Sequence, residues 1–194
     1  MFDILTLPGW HGSGPDHWQS RWEARYGYHR VEQHDWDRPL RGDWSARLED
    51  LVLGARRPVV LVAHSLGCIL VAAWAAHSRN THRVSGALLV APGDAEREEL
   101  RGVLPGWTPI VRQPLPFPAL LVASGNDPYC SAGRARDLAQ AWGARVADAG
   151  PLGHINAESG LGDWPAGQAL LQDLLSAIPA PLPAPENTQK QGAR

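Results

Sequence analysis

Val59 to Gly67 reads VVLVAHSLG, and the apolar stretch Leu66 to Ser78 follows it. A run of mostly β-branched residues passes through Ser65 into a segment of helical character, so the serine falls on a strand-to-helix turn. That is the setting of a nucleophile elbow. Such a turn needs small residues two before and two after the serine, and Ala63 and Gly67 fill those places. Ala63 stands where a glycine is usual, a departure of one methyl group. Serine is also a favoured helix cap, so the elements on either side have to decide between a nucleophile and a cap.

Working outward, Phe2 to Leu7 reads as a first strand broken by Pro8-Gly9, and Pro8 to Pro15 (PGWHGSGP) as a loop. A helix is expected from Pro15-Asp16, with Trp18, Trp22 and Tyr26 on one aromatic face. His29 to Gln33 is a weak strand, and HDWDRPLRG after it a loop. Asp43 is the expected cap of a helix reaching Ala55, with Trp44, Leu48, Leu51 and Val52 on its inner side. Pro58 to Ala63 is apolar throughout, as a strand buried on both faces should be. Gly86 to Ala91, Ala119 to Ser124 and Arg145 to Ala149 give three more strands. Helices are expected at Leu66 to Ser78, Ala132 to Trp142 and Trp164 to Ala177. The long connection Pro92 to Pro118, with a short charged helix at Ala95 to Leu100, reads as a pocket rim, since connections of this length are usually functional.

Strands alternating with helices predict an α/β three-layer sandwich: a mostly parallel, doubly wound sheet of about six strands with helices on both faces. Residues 1–178 form the domain. The Pro-rich, polar stretch 179–194 has no core-forming residues and reads as a flexible tail.

Composition narrows the function classes. At 194 residues, 44% hydrophobic and 20% charged, the chain suits one soluble domain with a real core. A net charge of −2 gives no electrostatic reason to expect nucleic acid or an anionic membrane as partner. No run approaches a membrane span, and MFDILTLPGW lacks a signal peptide's basic region and cleavage site, so the expected location is cytoplasmic. Cys68 and Cys130 form no metal-type spacing and read as small buried hydrophobes.

Right-handed crossovers place the loops after parallel strands along one edge. That edge carries Trp10, His11, Ser65, Asp94, Asp127 and His154. A serine hydroxyl needs a neighbouring base, and the base needs a carboxylate to fix its tautomer. His154 follows the last strand in a glycine-containing loop and is the expected base. His64 adjoins the serine, but consecutive side chains at a sharp turn point apart, so a packing role is expected there. His11 and His17 lie near the first loop, as substrate contacts or caps. Asp127, before Pro128, is the expected acid, with Asp94 as runner-up. The order Ser65, Asp127, His154 is that of an alpha/beta hydrolase. The backbone N–H groups of Leu66 and Trp10 are the expected oxyanion donors, with His11 as neighbour to Trp10. His34, Asp35 and Asp37 lack the helical spacing of a ligand set, so neither metal nor cofactor is expected.

The motifs LPGWHGS, AHSLGC, GNDPYCS and GHINAESGLGDWP, spread over Phe2 to Ile178, together resemble small, cap-poor serine hydrolases. These are the proteins related to retinoblastoma-binding protein nine and to bacterial YdeN, a branch of the alpha/beta hydrolase superfamily. The resemblance implies a compact sandwich without a large cap, a Ser65, Asp127, His154 triad and activity on carboxylic esters. Trp36, Trp107 and Trp164, with His11, are the expected pocket residues, and aromatic walls favour an apolar or aromatic acyl group. The expected partner is a small ester. A protein-binding module on the same fold, or an amidase or peptidase using the same triad, are the rival readings.

Overall fold

The computed structural model describes residues 1–100 and 102–178. The expected tail, 179–194, lies outside them. Five of the six strands fall where the sequence reading places them: β1 (Asp3–Leu7), β3 (Val59–Ser65), β4 (Val84–Pro92), β5 (Ala119–Ala123) and β6 (Arg145–Asp148). The sixth, β2, shrinks from the expected His29 to Gln33 to His29–Arg30, because it lies at the sheet edge and pairs only with Leu5 and Thr6 of β1. The sheet is parallel throughout in the order β2-β1-β3-β4-β5-β6. The chain steps outward from β1 to β2, then crosses back to β3 and continues the other way. The reversal between β1 and β3 is where such sheets open a crevice.

Alternation along the central strands decides the two cores. Leu61 and Ala63 face one side with Leu89 and Leu121, under helices α2 (Arg41–Gly54), α3 (Leu66–His77) and α4 (Ala132–Trp142). Val60 and Val62 face the other with Leu88 and Val122, under α1 (Trp18–Tyr26) and α5 (Pro165–Ala177). α3 is buried continuously from Leu66 to Trp74, which is why its sequence shows no polar stripe. α4 is amphipathic, capped by the Ser131 hydroxyl on the Arg134 N–H and ended by Gly143 at φ 67°. Gln19 is fully buried and binds α1 to the sheet through the Leu7 and Val62 carbonyls.

Some local expectations move. α1 starts at Trp18 instead of Pro15-Asp16, because the His17 imidazole accepts the Gln19 N–H and caps the helix. Trp18 and Trp22 are buried, but Tyr26 is 46% exposed at the helix end. α2 starts at Arg41 after Leu40, and Asp43 sits inside the first turn, where its charge still suits the helix dipole. The charged helix expected at Ala95 to Leu100 is a single 3-10 turn, Glu98–Leu100. No helix among the described residues is long and apolar enough to cross a membrane.

Candidate active site

β3 runs straight into α3 at Ser65, which takes φ 55° and ψ −121°. Positive φ on a residue with a side chain costs about 1 to 3 kcal/mol and persists only where the surroundings enforce it. Gly67 supplies the enforcement: a Cβ there would lie 2.3 Å from the Leu7 carbonyl oxygen. The tight contact is thus with the end of β1. Ala63, in place of the usual glycine, is fully buried in the core with its methyl accommodated. Gly9 and Gly93 keep the space around the hydroxyl open, since a Cβ would lie 2.6 Å from Ser65 Cβ in one case and 3.1 Å from Oγ in the other.

His154 Nε2 lies 2.8 Å from Ser65 Oγ. Its Nδ1 lies 2.8 Å from Asp127 Oδ2, and because a carboxylate only accepts, the proton is on Nδ1 and Nε2 is free to accept from the serine. Asp127 stands just after β5 and also takes the Tyr129 N–H at 2.8 Å, which fixes its turn. The loop carrying His154 follows β6 and is held by side chains. Asn126 accepts the Gly153 N–H, the Ser159 hydroxyl donates to the Leu152 carbonyl, and the Trp18 indole donates to the Ile155 carbonyl. Asp94, the runner-up acid, is engaged by Arg134 at 3.1 Å and by the Glu96 N–H. It caps its turn and makes no hydrogen bond to His154.

A cleft of about 500 Å³ opens over Ser65 at the switch between β1 and β3. Trp10 and His11 line it, as does Leu66, whose N–H begins α3 and has no intrahelical acceptor. The two candidates for the second oxyanion donor separate: the His11 N–H is spent on the Trp36 carbonyl at 3.1 Å. Among the described residues, the Trp10 N–H has no acceptor.

Three expected pocket tryptophans lie elsewhere. Trp107 is fully buried, donates to the Pro39 carbonyl and packs on Trp44. Trp164 packs with Trp18 and Trp22 behind the cleft wall. Trp36 lies against Gly12 and Trp44 and braces the first loop from outside. Large rings fill volume between layers, and that use won at all three. The apolar wall is instead Ala95, Leu100 and Leu104 from the connection read as a rim. Tyr129, edge-on to His154 at 4.6 Å, also lines the cleft and was not singled out by the sequence.

His17 and His64 line the cleft too, and both are buried. Burial, reinforced by Arg30 and His154, lowers the His17 pKa to about 3. Burial also drives His64 well below its ordinary value, with His17 and His154 adding to it. Both rings are therefore neutral. Burial raises the Cys68 thiol, and burial with Asp94 and Asp127 nearby raises Cys130 to about 12, so neither supplies a thiolate. Among the described residues no group of three His, Cys, Asp or Glu is placed to hold a metal ion.

A serine hydrolase family profile matches residues 4–173. The chain belongs to the serine hydrolase family. Its fold is shared with a YdeN-like hydrolase from Pectobacterium atrosepticum, 31% identical over 92% of this chain and 94% of that one, at a TM-score of 0.79. The Bacillus subtilis ydeN gene product is 19% identical over 91% and 100% of the two chains, at a TM-score of 0.72. An alpha/beta superfamily hydrolase from Xanthomonas campestris is 23% identical over 88% and 98%, at a TM-score of 0.59. These similarities agree with the superfamily resemblance carried by the motifs. No curated protein matches the chain.

Proposed function

We propose that this hydrolase cleaves small carboxylic esters through an acyl-enzyme on Ser65. The observation that carries the reading is the unbroken line from Ser65 Oγ through the His154 imidazole to Asp127, 2.8 Å at each step. Ser65 Oγ attacks the ester carbonyl carbon as its proton passes to His154 Nε2, and Asp127 steadies the resulting imidazolium. The carbonyl oxygen becomes an oxyanion beside the N–H groups of Leu66 and Trp10, each donor worth about 3 to 4 kcal/mol. Collapse breaks the bond to the alcohol, which leaves with the proton from His154. Water then attacks the acyl-enzyme, gives a proton to His154, and releases the acid as Ser65 recovers its own. The wall of Ala95, Leu100 and Leu104 suits a compact apolar group on the substrate.

The test pairs a fluorophosphonate probe with aryl esters graded in acyl length. Wild-type protein should be labelled at Ser65 and turn over the shorter esters, and Ser65→Ala should abolish both. Folded wild type that takes no label would count for the protein-binding reading instead.

A further inference from the structure

β3 ends in two consecutive residues that both reach His154. Neighbouring side chains on a strand leave opposite faces, so His64 turns into the layer of α1 and α5 while Ser65 stands on the turn. Ser65 meets the His154 ring. His64 Nε2 meets the His154 carbonyl oxygen at 2.9 Å. A carbonyl oxygen only accepts, so the His64 proton is on Nε2. The residue is 4% exposed, enclosed by His17, His154 and Trp18 at ring-centroid distances of 4.7, 4.8 and 6.1 Å. The next carbonyl, that of Ile155, is taken by the Trp18 indole at 2.8 Å. Two successive carbonyls of a loop with no regular structure are thus gripped from one layer, and Ile155 between them holds φ 48°. Such a conformation relaxes when its restraints are removed.

We propose that His64 is a positioning residue for His154: its Nε2–H pins the main chain at 154 so that the imidazole stays in line between Ser65 Oγ and Asp127. The inference rests on the acyl-enzyme reading above. Because the His64 ring is neutral, it holds the base without placing a positive charge beside it. A positive neighbour would oppose the imidazolium that forms when Ser65 gives up its proton.

His64→Leu keeps much of the volume and removes the donor, whereas His64→Gln keeps an N–H donor at similar reach. In His64→Leu, kcat on a short aryl ester should fall about 10- to 100-fold with KM nearly unchanged, the scale expected when a reacting group is displaced by about 1 Å. His64→Gln should recover most of the loss. A His64→Leu protein with wild-type melting temperature and wild-type kcat overturns the proposal, and so does a Gln variant as slow as the Leu one. A buried substitution can also block folding, so the tautomer is read separately in unmodified protein by ¹⁵N-histidine NMR. His64 should appear as the neutral Nε2–H form, and an Nδ1–H form overturns the proposal. Turnover retained in Ser65→Ala overturns the acyl-enzyme reading and this inference with it. Turnover lost in Ser65→Ala but kept in His64→Leu overturns this inference alone.

Discussion

Ser65 and His154 stand 2.8 Å apart and are held by opposite means. The serine sits where a buried strand becomes a buried helix, and its geometry is imposed by backbone packed against backbone at Gly67. The histidine sits in the loop between β6 and α5, held by side chains of Trp18, His64 and Asp127 from three other parts of the chain and by Ser159 from within the loop itself. Both positions depend on the assembled fold, the serine's through main-chain contact with the end of β1 and the histidine's through side-chain contacts to its loop. Perturbing the first should cost folding, while perturbing the second should cost alignment and leave the fold largely intact.

The sharpest way to separate the two is Asp127→Asn. It keeps the shape but favours the wrong imidazole tautomer, and by analogy with other serine hydrolases kcat should drop about 10⁴-fold. A melting temperature close to wild type should accompany the loss. A large thermal loss would mean that Asp127 holds the fold as much as the base.

Gly67→Ala probes the other side. Its Cβ would meet the Leu7 carbonyl at 2.3 Å, and backbone on both sides leaves little room to give. The expected loss is about 3 kcal/mol, measured by urea unfolding. A variant as stable as wild type would show that the β1 end can move away.

Acid tests the histidine layer. The folded pKa of His17 is lowered to about 3, and burial, with His17 and His154 adding to it, holds that of His64 well below its ordinary value. Below about pH 6.5 the unfolded chain binds protons that the folded protein refuses, so stability present above that pH is lost as pH falls. Each such histidine should contribute a slope approaching about 1.4 kcal/mol per pH unit, or roughly 2 kcal/mol between pH 6.5 and 5. His17→Gln should flatten the urea-midpoint profile over this range. An unchanged slope would assign the acid sensitivity elsewhere.

The smallest effect is expected at Trp18→Phe, which leaves the Ile155 carbonyl without its donor at a cost of about 1 to 2 kcal/mol. If side chains do hold the base, kcat should fall further than this loss of stability implies. Equal, proportionate losses in both would make Trp18 simply part of the core.

The strand-helix alternation was legible because apolar runs and turn residues carry local information. The largely buried β3 and α3, and the Ser131 to Gly143 span of α4, sit where the pattern puts them. Once the sheet is parallel, the crossover rule gathers the loops that carry Ser65, Asp127 and His154 on one edge. Position therefore narrowed the candidates to those on that edge, while the choice of Asp127 over Asp94 rests on which carboxylate meets His154. The pocket could not be narrowed in this way. Trp10, Trp36, Trp107 and Trp164 are alike in sequence, and only the first lines the cleft, because a tryptophan's place depends on which layer has a gap to fill. His64 is similar: nothing in AHSLG says that its ring will meet a carbonyl supplied 90 positions later.

By itself, then, the sequence determined the order of strands and helices, the turn at Ser65 and the edge on which the polar residues meet, since periodicity, small residues and chain chirality act locally. The packed layers alone decided what each of those polar groups touches. Burial, tautomer and cleft lining arise from contacts between segments that no spacing along the chain records.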